Sequence, residues 1–228
     1  MVNHEELTTV AQDYLKIVWS ALEWSDEPVT TKLLAERLGV GASTVSETVR
    51  RLRDQGLLDH ARYGTVELTA AGRTAALHMV RRHRLIETYL VSRLGYSWDE
   101  VHDEAEVLEH AVSDRMVERM DEALGRPVRD PHGDPIPTAD GHVEQIPAVL
   151  LADVPAGGTG VVARISDSDP DVLRYLAELG IDLDVALSVT ERRDFAGTIA
   201  VTWSGSDEER TVDLGLPAAS SIWVVLAD

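Results

Sequence analysis

Cysteine is absent from all 228 residues. Its absence excludes disulfides, thiolate metal sites, thiol redox sensing and cysteine nucleophiles, and it fits a reducing cytoplasm. Also missing is any apolar run near the ~20 residues of a membrane span. The opening MVNHEEL is polar and acidic and lacks the pattern of a secretory signal. We find no internal repeat, no Gly-rich phosphate loop of Walker type and no credible Ser-His-Asp set. The reading is of a cytoplasmic chain that does not engage a membrane. Its length allows two or three domains, and 44% hydrophobic with 27% charged residues is ordinary for a globular protein.

Net positive charge is missing too. The formal charge of −19 argues at first against nucleic acid, because phosphate binding needs basic surface. The charge is uneven, however. Residues 29–84 hold ten Lys and Arg against five Asp and Glu, whereas 85–125 hold three against eleven. A basic segment is followed directly by an acidic one.

Residues 4–23 carry apolar side chains at helical spacing (Val10, Tyr14, Leu15, Ile17, Val18, Leu22). Thr30 or Thr31 can cap a short helix, TKLLAERLG, that closes on Gly39. Ser43 or Thr44 can cap a second, TVSETVRRLRDQG, that closes on Gly56, and LLDHARYGTVELT reads as two short strands about Gly64. Two short helices, a tight link and a β-wing make a winged helix-turn-helix. Its second helix brings Ser43, Thr44, Ser46, Glu47 and Arg50 to a major groove, with Thr31 and Ala42 beside them, while Arg50, Arg51 and Arg53 meet phosphates. A helical pair that only contacts protein is the alternative.

A long helix follows to about Leu94. The next, after Ser97 with Glu100 completing a capping box, is expected to run to about Val112, and another runs from Ser113 to Gly125. RPVRDPHGDPIPTADGHVEQIP lacks periodicity and reads as loop and linker. From about Ala156, five β-branched segments and one helix, DPDVLRYLAELG, point to a small SH3-like β-barrel. The fold class expected is mainly α with a small β domain. Its parts are a winged helix-turn-helix over 1–75, a helical metal-binding and dimerisation domain over 76–145, and the SH3-like domain over 156–228.

The chemistry concentrates in HDEAEVLEH. His83 and Glu87 stand four apart, as do His102 and Glu106, and Glu106 and His110; Glu109 is three beyond Glu106. These spacings share a helix face. Imidazole with carboxylate and no sulfur suits Mn²⁺, Fe²⁺, Co²⁺ or Zn²⁺. A solvated acidic face with incidental histidines is the alternative. Leu85, Leu90, Leu94, Val107, Leu108, Met116, Val117, Met120 and Leu124 exceed what one small helical layer can bury, and a two-fold dimer would use the excess.

The order of TVSETVRRL, the wing, RRHRLIE, VHDEAEVLEH and DPHGDPIP resembles the diphtheria-toxin-repressor family of metal-dependent transcriptional repressors, densely over about residues 8–137. The C-terminal segment is similar to the SH3-like domain of bacterial iron-transport proteins. The resemblance implies two metal positions: Asp13, Glu106, Glu109 and His110 at one, and His83, Glu87 and His102 at the other with help from the C-terminal domain. For that help Asp169 or Asp171 is nearest, with helix capping the alternative for either. Asp13 and Glu106 stand where the iron-responsive branch has Met and Cys, which favours the manganese-responsive branch and agrees with the preference of hard carboxylates for Mn²⁺. Lys16 departs from the small manganese-responsive members, which have Glu there and lack a C-terminal domain. The function implied is a manganese-activated dimer that represses metal-uptake genes from palindromic operator DNA. The rivals are an iron- or zinc-responsive repressor of the same family, a winged-helix regulator with a purely structural metal, and a metal-dependent enzyme built on the helical bundle.

Overall fold

The computed structural model describes residues 7–25, 27–60, 64–204 and 209–227. The wing tip at 61–63 and residues 4–6 of the expected first helix lie outside these. The chain divides into two compact units: Met1–His83 with Leu108–Val117 and Pro137–Val143, and Arg84–Val107 with Glu118–Ile136 and Glu144–Asp228.

In the first unit, α1 (Thr9–Glu23) starts at the Thr8 cap, whose hydroxyl accepts from Ala11 N–H at 3.3 Å. Its apolar spacing buries Ala11, Tyr14, Leu15, Val18 and Trp19 against Leu34 of α2 (Thr31–Leu38) and Val45, Val49 and Leu52 of α3 (Ala42–Asp54). Thr30, not Thr31, caps α2. Neither Ser43 nor Thr44 caps α3: the helix begins two residues earlier than expected, at Ala42, with Gly41 as a cap that offers no side chain. The earlier start puts Ser43 and Thr44 inside the first turn, where both are exposed. The wing pairs β1 (Leu58–His60) with β2 (Val66–Leu68) antiparallel. At Gly72, on the first turn of α4 (Ala70–Tyr89), a Cβ would lie 1.9 Å from the Leu57 carbonyl oxygen, so only glycine permits this approach.

The long helix is not α-helical to Leu94. It becomes a π-helical turn over Leu90–Leu94 and stops at Gly95, whose φ of +77° closes it. α5 spans Val101–Leu108, so the helix expected to reach Val112 ends four residues early. α6 is Asp114–Leu124, and Ser113 Oγ accepts from Met116 N–H at 3.3 Å.

In the second unit, a six-stranded antiparallel sheet has the order β3-β8-β4-β5-β6-β7: Val149–Leu150, Ile222–Leu226, Thr159–Ile165, Ala186–Arg193, Thr198–Ser204 and Glu209–Gly215. Register shifts at Val162/Arg164 and Val189/Glu191 bend it around a core that includes Val162, Ile165, Val189, Val201, Leu214 and Val224. α7 (Pro170–Leu179) adds Leu173 and Leu176 to this core, and a short α8 (Leu216–Ala219) adds Ala219. The segment read as a linker is a packed loop. Asp130, His132, Asp134 and Ile136 are buried, and Gly133 meets β4 so closely that a Cβ would lie 2.1 Å from the Ala163 carbonyl oxygen. Its side chains bury by ion pairing and not by hydrophobic period.

Candidate metal centre

α1 presents Asp13 and Lys16, one turn apart, beside Gln12. The other half of the first cluster is Glu109 and His110 in the turn after α5. His110 Nε2 lies 2.9 Å from Asp13 Oδ1 and 3.5 Å from Glu109 Oε1. Its Nδ1–H donates to Gln12 Oε1 at 2.8 Å, which fixes the ring and aims Nε2 at the two carboxylates. Separations of this size are what neighbouring ligands of an octahedral ion have, since bonds of about 2.1 Å place them about 3 Å apart. The donor set of two carboxylate oxygens and one imidazole nitrogen therefore fits a hard divalent cation.

Glu109 is fully buried. Burial alone would raise its pKa, but His83 Nδ1, 2.6 Å from Oε2, and Lys16 Nζ, 2.6 Å from Oε1, outweigh it and hold the carboxyl below the usual range. The early end of α5 has a local cause. Arg82 of α4 donates from Nη1 to the carbonyls of Glu109 (3.0 Å) and Val112 (2.6 Å), and its Nη2 pairs with Asp114. These carbonyls bond an arginine and do not continue the helix.

The second unit holds another cluster. His102 Nδ1 is 3.0 Å from Asp167 Oδ2 and 3.3 Å from Glu87 Oε1, and its Nε2 is 3.7 Å from Glu106 Oε1. Burial works against the charged imidazole, but hydrogen bonds to Asp167 and Glu87 push it up to about 11. Glu87 also faces Asp130 and His132, all three buried, with one donor atom of each within 4.8 Å of the others. His132 Nε2–H donates to the Trp98 carbonyl at 2.7 Å while its ring stacks on Trp98. That leaves Nδ1 buried without a hydrogen-bond partner, 3.9 Å from Glu87 Oε2. Asp130 Oδ1 accepts from the N–H groups of His132 and Asp134, both at 2.9 Å. Burial, then repulsion from Asp134 and Glu87, pushes Asp130 up to about 8. An orphaned imidazole nitrogen among crowded carboxylates fits a bound cation.

Of the residues singled out from sequence, Asp13, Glu109 and His110 come together with His83 behind Glu109, and Glu87 and His102 come together with Glu106 beside His102. Asp169 does not join them. It is the exposed N-cap of α7, accepting from Asp171 N–H at 2.9 Å, and Asp171 pairs with Arg174. The residue that reaches His102 from the C-terminal segment is Asp167, two positions earlier. Asp130, His132 and Asp167 were missed. For Asp130 and His132 the visible signal was DPHGDP itself, with His132, Gly133 and Asp134 between two prolines and Asp130 just before them.

In α3 the exposed positions are Ala42, Ser43, Thr44, Ser46, Glu47, Arg50, Arg51, Arg53 and Asp54, the last two paired at 2.7 Å, opposite buried Val45, Thr48, Val49 and Leu52. Thr31, the first residue of α2, is half-buried. Of the surplus apolar residues, Leu85, Leu90, Val117 and Met120 are buried within the protomer, while Leu94, Val107 and Met116 are 61%, 71% and 48% exposed.

A winged helix-turn-helix joined to helices that bear carboxylate–imidazole clusters defines a metal-responsive DNA-binding regulator. Comparison with known families agrees. Residues 6–66 match the iron dependent repressor N-terminal DNA binding domain, 69–138 the iron dependent repressor metal binding and dimerisation domain, and 149–226 the FeoA domain. The iron-dependent repressor IdeR of Mycobacterium tuberculosis (strain ATCC 25618 / H37Rv) is 33% identical over 188 residues, 77% of this chain and 81% of that protein. The diphtheria toxin repressor of Corynebacterium glutamicum is 30% identical over 221 residues, 92% of this chain and 95% of that one. Among solved structures, a manganese-dependent transcriptional repressor in complex with manganese is 62% identical, with a TM-score of 0.92 over 95% of this chain and 100% of that one. The manganese regulator SloR is 33% identical, with a TM-score of 0.79 over 95% and 98%. The chain belongs to the diphtheria-toxin-repressor family and is a metal-dependent transcriptional repressor. Members of this family are repressors and not enzymes, so the bundle-enzyme alternative falls. No helix among the described residues is long and apolar enough to cross a membrane.

Proposed function

We propose that Mn²⁺ is the effector and that the loaded protein, as a homodimer in the cytoplasm, binds palindromic operator DNA at metal-uptake genes. The observation that carries this reading is the convergence of Asp13 Oδ1, Glu109 Oε1 and His110 Nε2, a hard oxygen and nitrogen set without sulfur. Relatives are named for iron and for manganese, and the donor chemistry favours manganese. Asp13, Glu109 and His110 would hold one ion, with His83 as a further residue of that position. Glu87, His102, Asp130, His132 and Asp167 would hold another, and Glu106 would belong beside His102 at that second position. A bound divalent ion supplies a point charge that joins carboxylates which otherwise repel.

The consequence follows from α1. Asp13 lies on one side of this helix while Leu15, Val18 and Trp19 are buried in the core that seats α2 and α3. Tying Asp13 to the 109–110 turn therefore restrains the helix-turn-helix as well. Ser43, Thr44, Ser46 and Glu47 would read base edges, with Thr31, Ala42, Arg50 and Arg51 at the backbone. Leu94, Val107 and Met116 are apolar surface available to a second copy. In functional terms, 1–75 binds DNA, 76–145 senses metal and dimerises, and 156–228 is the SH3-like module.

The test is capture of genomic DNA by the purified chain with chelator, Mn²⁺ or Fe²⁺, followed by sequencing. Enrichment of a few palindromic promoter sites with Mn²⁺, lost in Asp13→Ala, is expected. Fe²⁺ alone giving that enrichment would make the effector iron. Equal capture in every condition would reduce the clusters to structural sites.

A further inference from the structure

Lys16 is charged, yet it is buried on α1 with its ammonium 2.6 Å from Glu109 Oε1, and the side chains are 9% and 0% exposed. Burying such a pair rarely adds stability, because desolvating both charges offsets their attraction. Glu109 does not depend on Lys16 for a partner either, since His83 Nδ1 holds Oε2 at 2.6 Å. The oxygen that Lys16 takes is the same one that faces His110 Nε2, 3.5 Å away, beside Asp13. A cation held by Asp13, Glu109 and His110 must share that oxygen with a fixed positive charge.

The geometry points to Lys16 as the residue that sets the metal threshold: a resident cation that competes for Glu109 Oε1 and weakens ion binding at the Asp13–Glu109–His110 cluster. This inference rests on the proposed metal reading of that cluster. Two effects act together. The ammonium draws electron density from the donor oxygen, and its charge opposes a second cation close by in a poorly solvated site. Asp13 and Glu109 bring two negative charges and Lys16 one positive, a formal balance of −1 before an ion arrives. Without Lys16 the balance is −2. In the metal-free protein Lys16 occupies the oxygen that an ion would use. The sensor thereby responds only to a raised ion concentration.

The experiment measures Mn²⁺ binding to the full chain by electron paramagnetic resonance of the free ion, with thermal unfolding in chelator and in saturating Mn²⁺. Wild type, Lys16→Met and Lys16→Arg are compared, each with and without Asp13→Ala, so that the difference marks the component that belongs to this cluster. In Lys16→Met, the Asp13-dependent component is expected to tighten at least about tenfold. The gap between metal-free and metal-loaded melting temperatures should widen, and Lys16→Arg should behave as wild type. An unchanged or weaker affinity in Lys16→Met, with equal losses of melting temperature in both states, would make Lys16 a structural ion pair and overturn the inference. If Asp13→Ala removes no binding component from the wild-type chain, the metal reading of the cluster fails and this inference fails with it.

Discussion

At the scale of single residues, the two clusters differ in how much of them was readable in advance. Glu109 and His110 belong to a pattern of helical spacings and to a family resemblance, while Asp13 came from the resemblance alone. Asp130 and His132 sit in a loop, where ligand spacing obeys no period, and their burial depends on partners far along the chain. Arg164 donates to Asp134 at 2.7 Å and lies over the Trp223 ring, while Arg84 donates to the Pro135 carbonyl at 2.7 Å. No local sequence rule anticipates those contacts. Gly133 lets the loop take this path, with φ at +93° and a backbone oxygen of β4 where a Cβ would be. Gly133→Ala should therefore destabilise the protein by about 2 kcal/mol or more. It should also remove the Mn²⁺ component assigned to Glu87, Asp130 and His132 while leaving the Asp13-dependent one. Calorimetric unfolding with a parallel Mn²⁺ titration checks both; an intact melting temperature would mean that the loop relaxes around the methyl group.

At the scale of elements, the helices and strands were largely legible, because caps and apolar periods are local. Thr30 before α2, Gly39 after it, Ser113 before α6 and Asp169 before α7 each act where such residues act in general. Two ends moved. The π-helical turn replaces the last turn expected of α4, and Arg82 ends α5 at Leu108. The second matters to function, because it places Glu109 and His110 on a turn that α4 holds in position. Arg82→Met should keep the packing of the methylene stem and lose the clamp on the Glu109 and Val112 carbonyls. The expected result is an Asp13-dependent Mn²⁺ affinity lower by about tenfold, as for loss of other residues that orient ligands. A fall in stability of about 1–3 kcal/mol should accompany it. Unfolding followed with and without Mn²⁺ separates the two effects. Lost stability with unchanged ion affinity would show that the turn holds its shape without Arg82.

At the scale of the whole molecule, charge and order are rival accounts of how an ion controls DNA binding. The chain carries −19, so two added positive charges could act simply by lessening repulsion of DNA. Screening argues against this as the main effect, because exposed charges separated by more than the Debye length, about 8 Å at physiological ionic strength, are largely screened. α1, about 10–12 Å across as helices are, lies between the Asp13 cluster and the core under α3. Ordering of α1 is not screened. Two consequences distinguish the accounts. By linkage, operator DNA must tighten Mn²⁺ binding by the same factor that Mn²⁺ tightens DNA binding, and factors of about 5–150 are usual for such coupling. If ordering dominates, that factor should stay nearly constant as salt rises, even while absolute DNA affinity falls steeply. Arg50→Ala should reduce the slope of log affinity against log salt by about 0.9, the value for one lost phosphate contact, and leave the coupling factor unchanged. DNA titrations in chelator and in saturating Mn²⁺ at three salt concentrations, for wild type and Arg50→Ala, measure all of these quantities. A coupling factor that decays with salt in parallel with DNA affinity would return the mechanism to charge neutralisation.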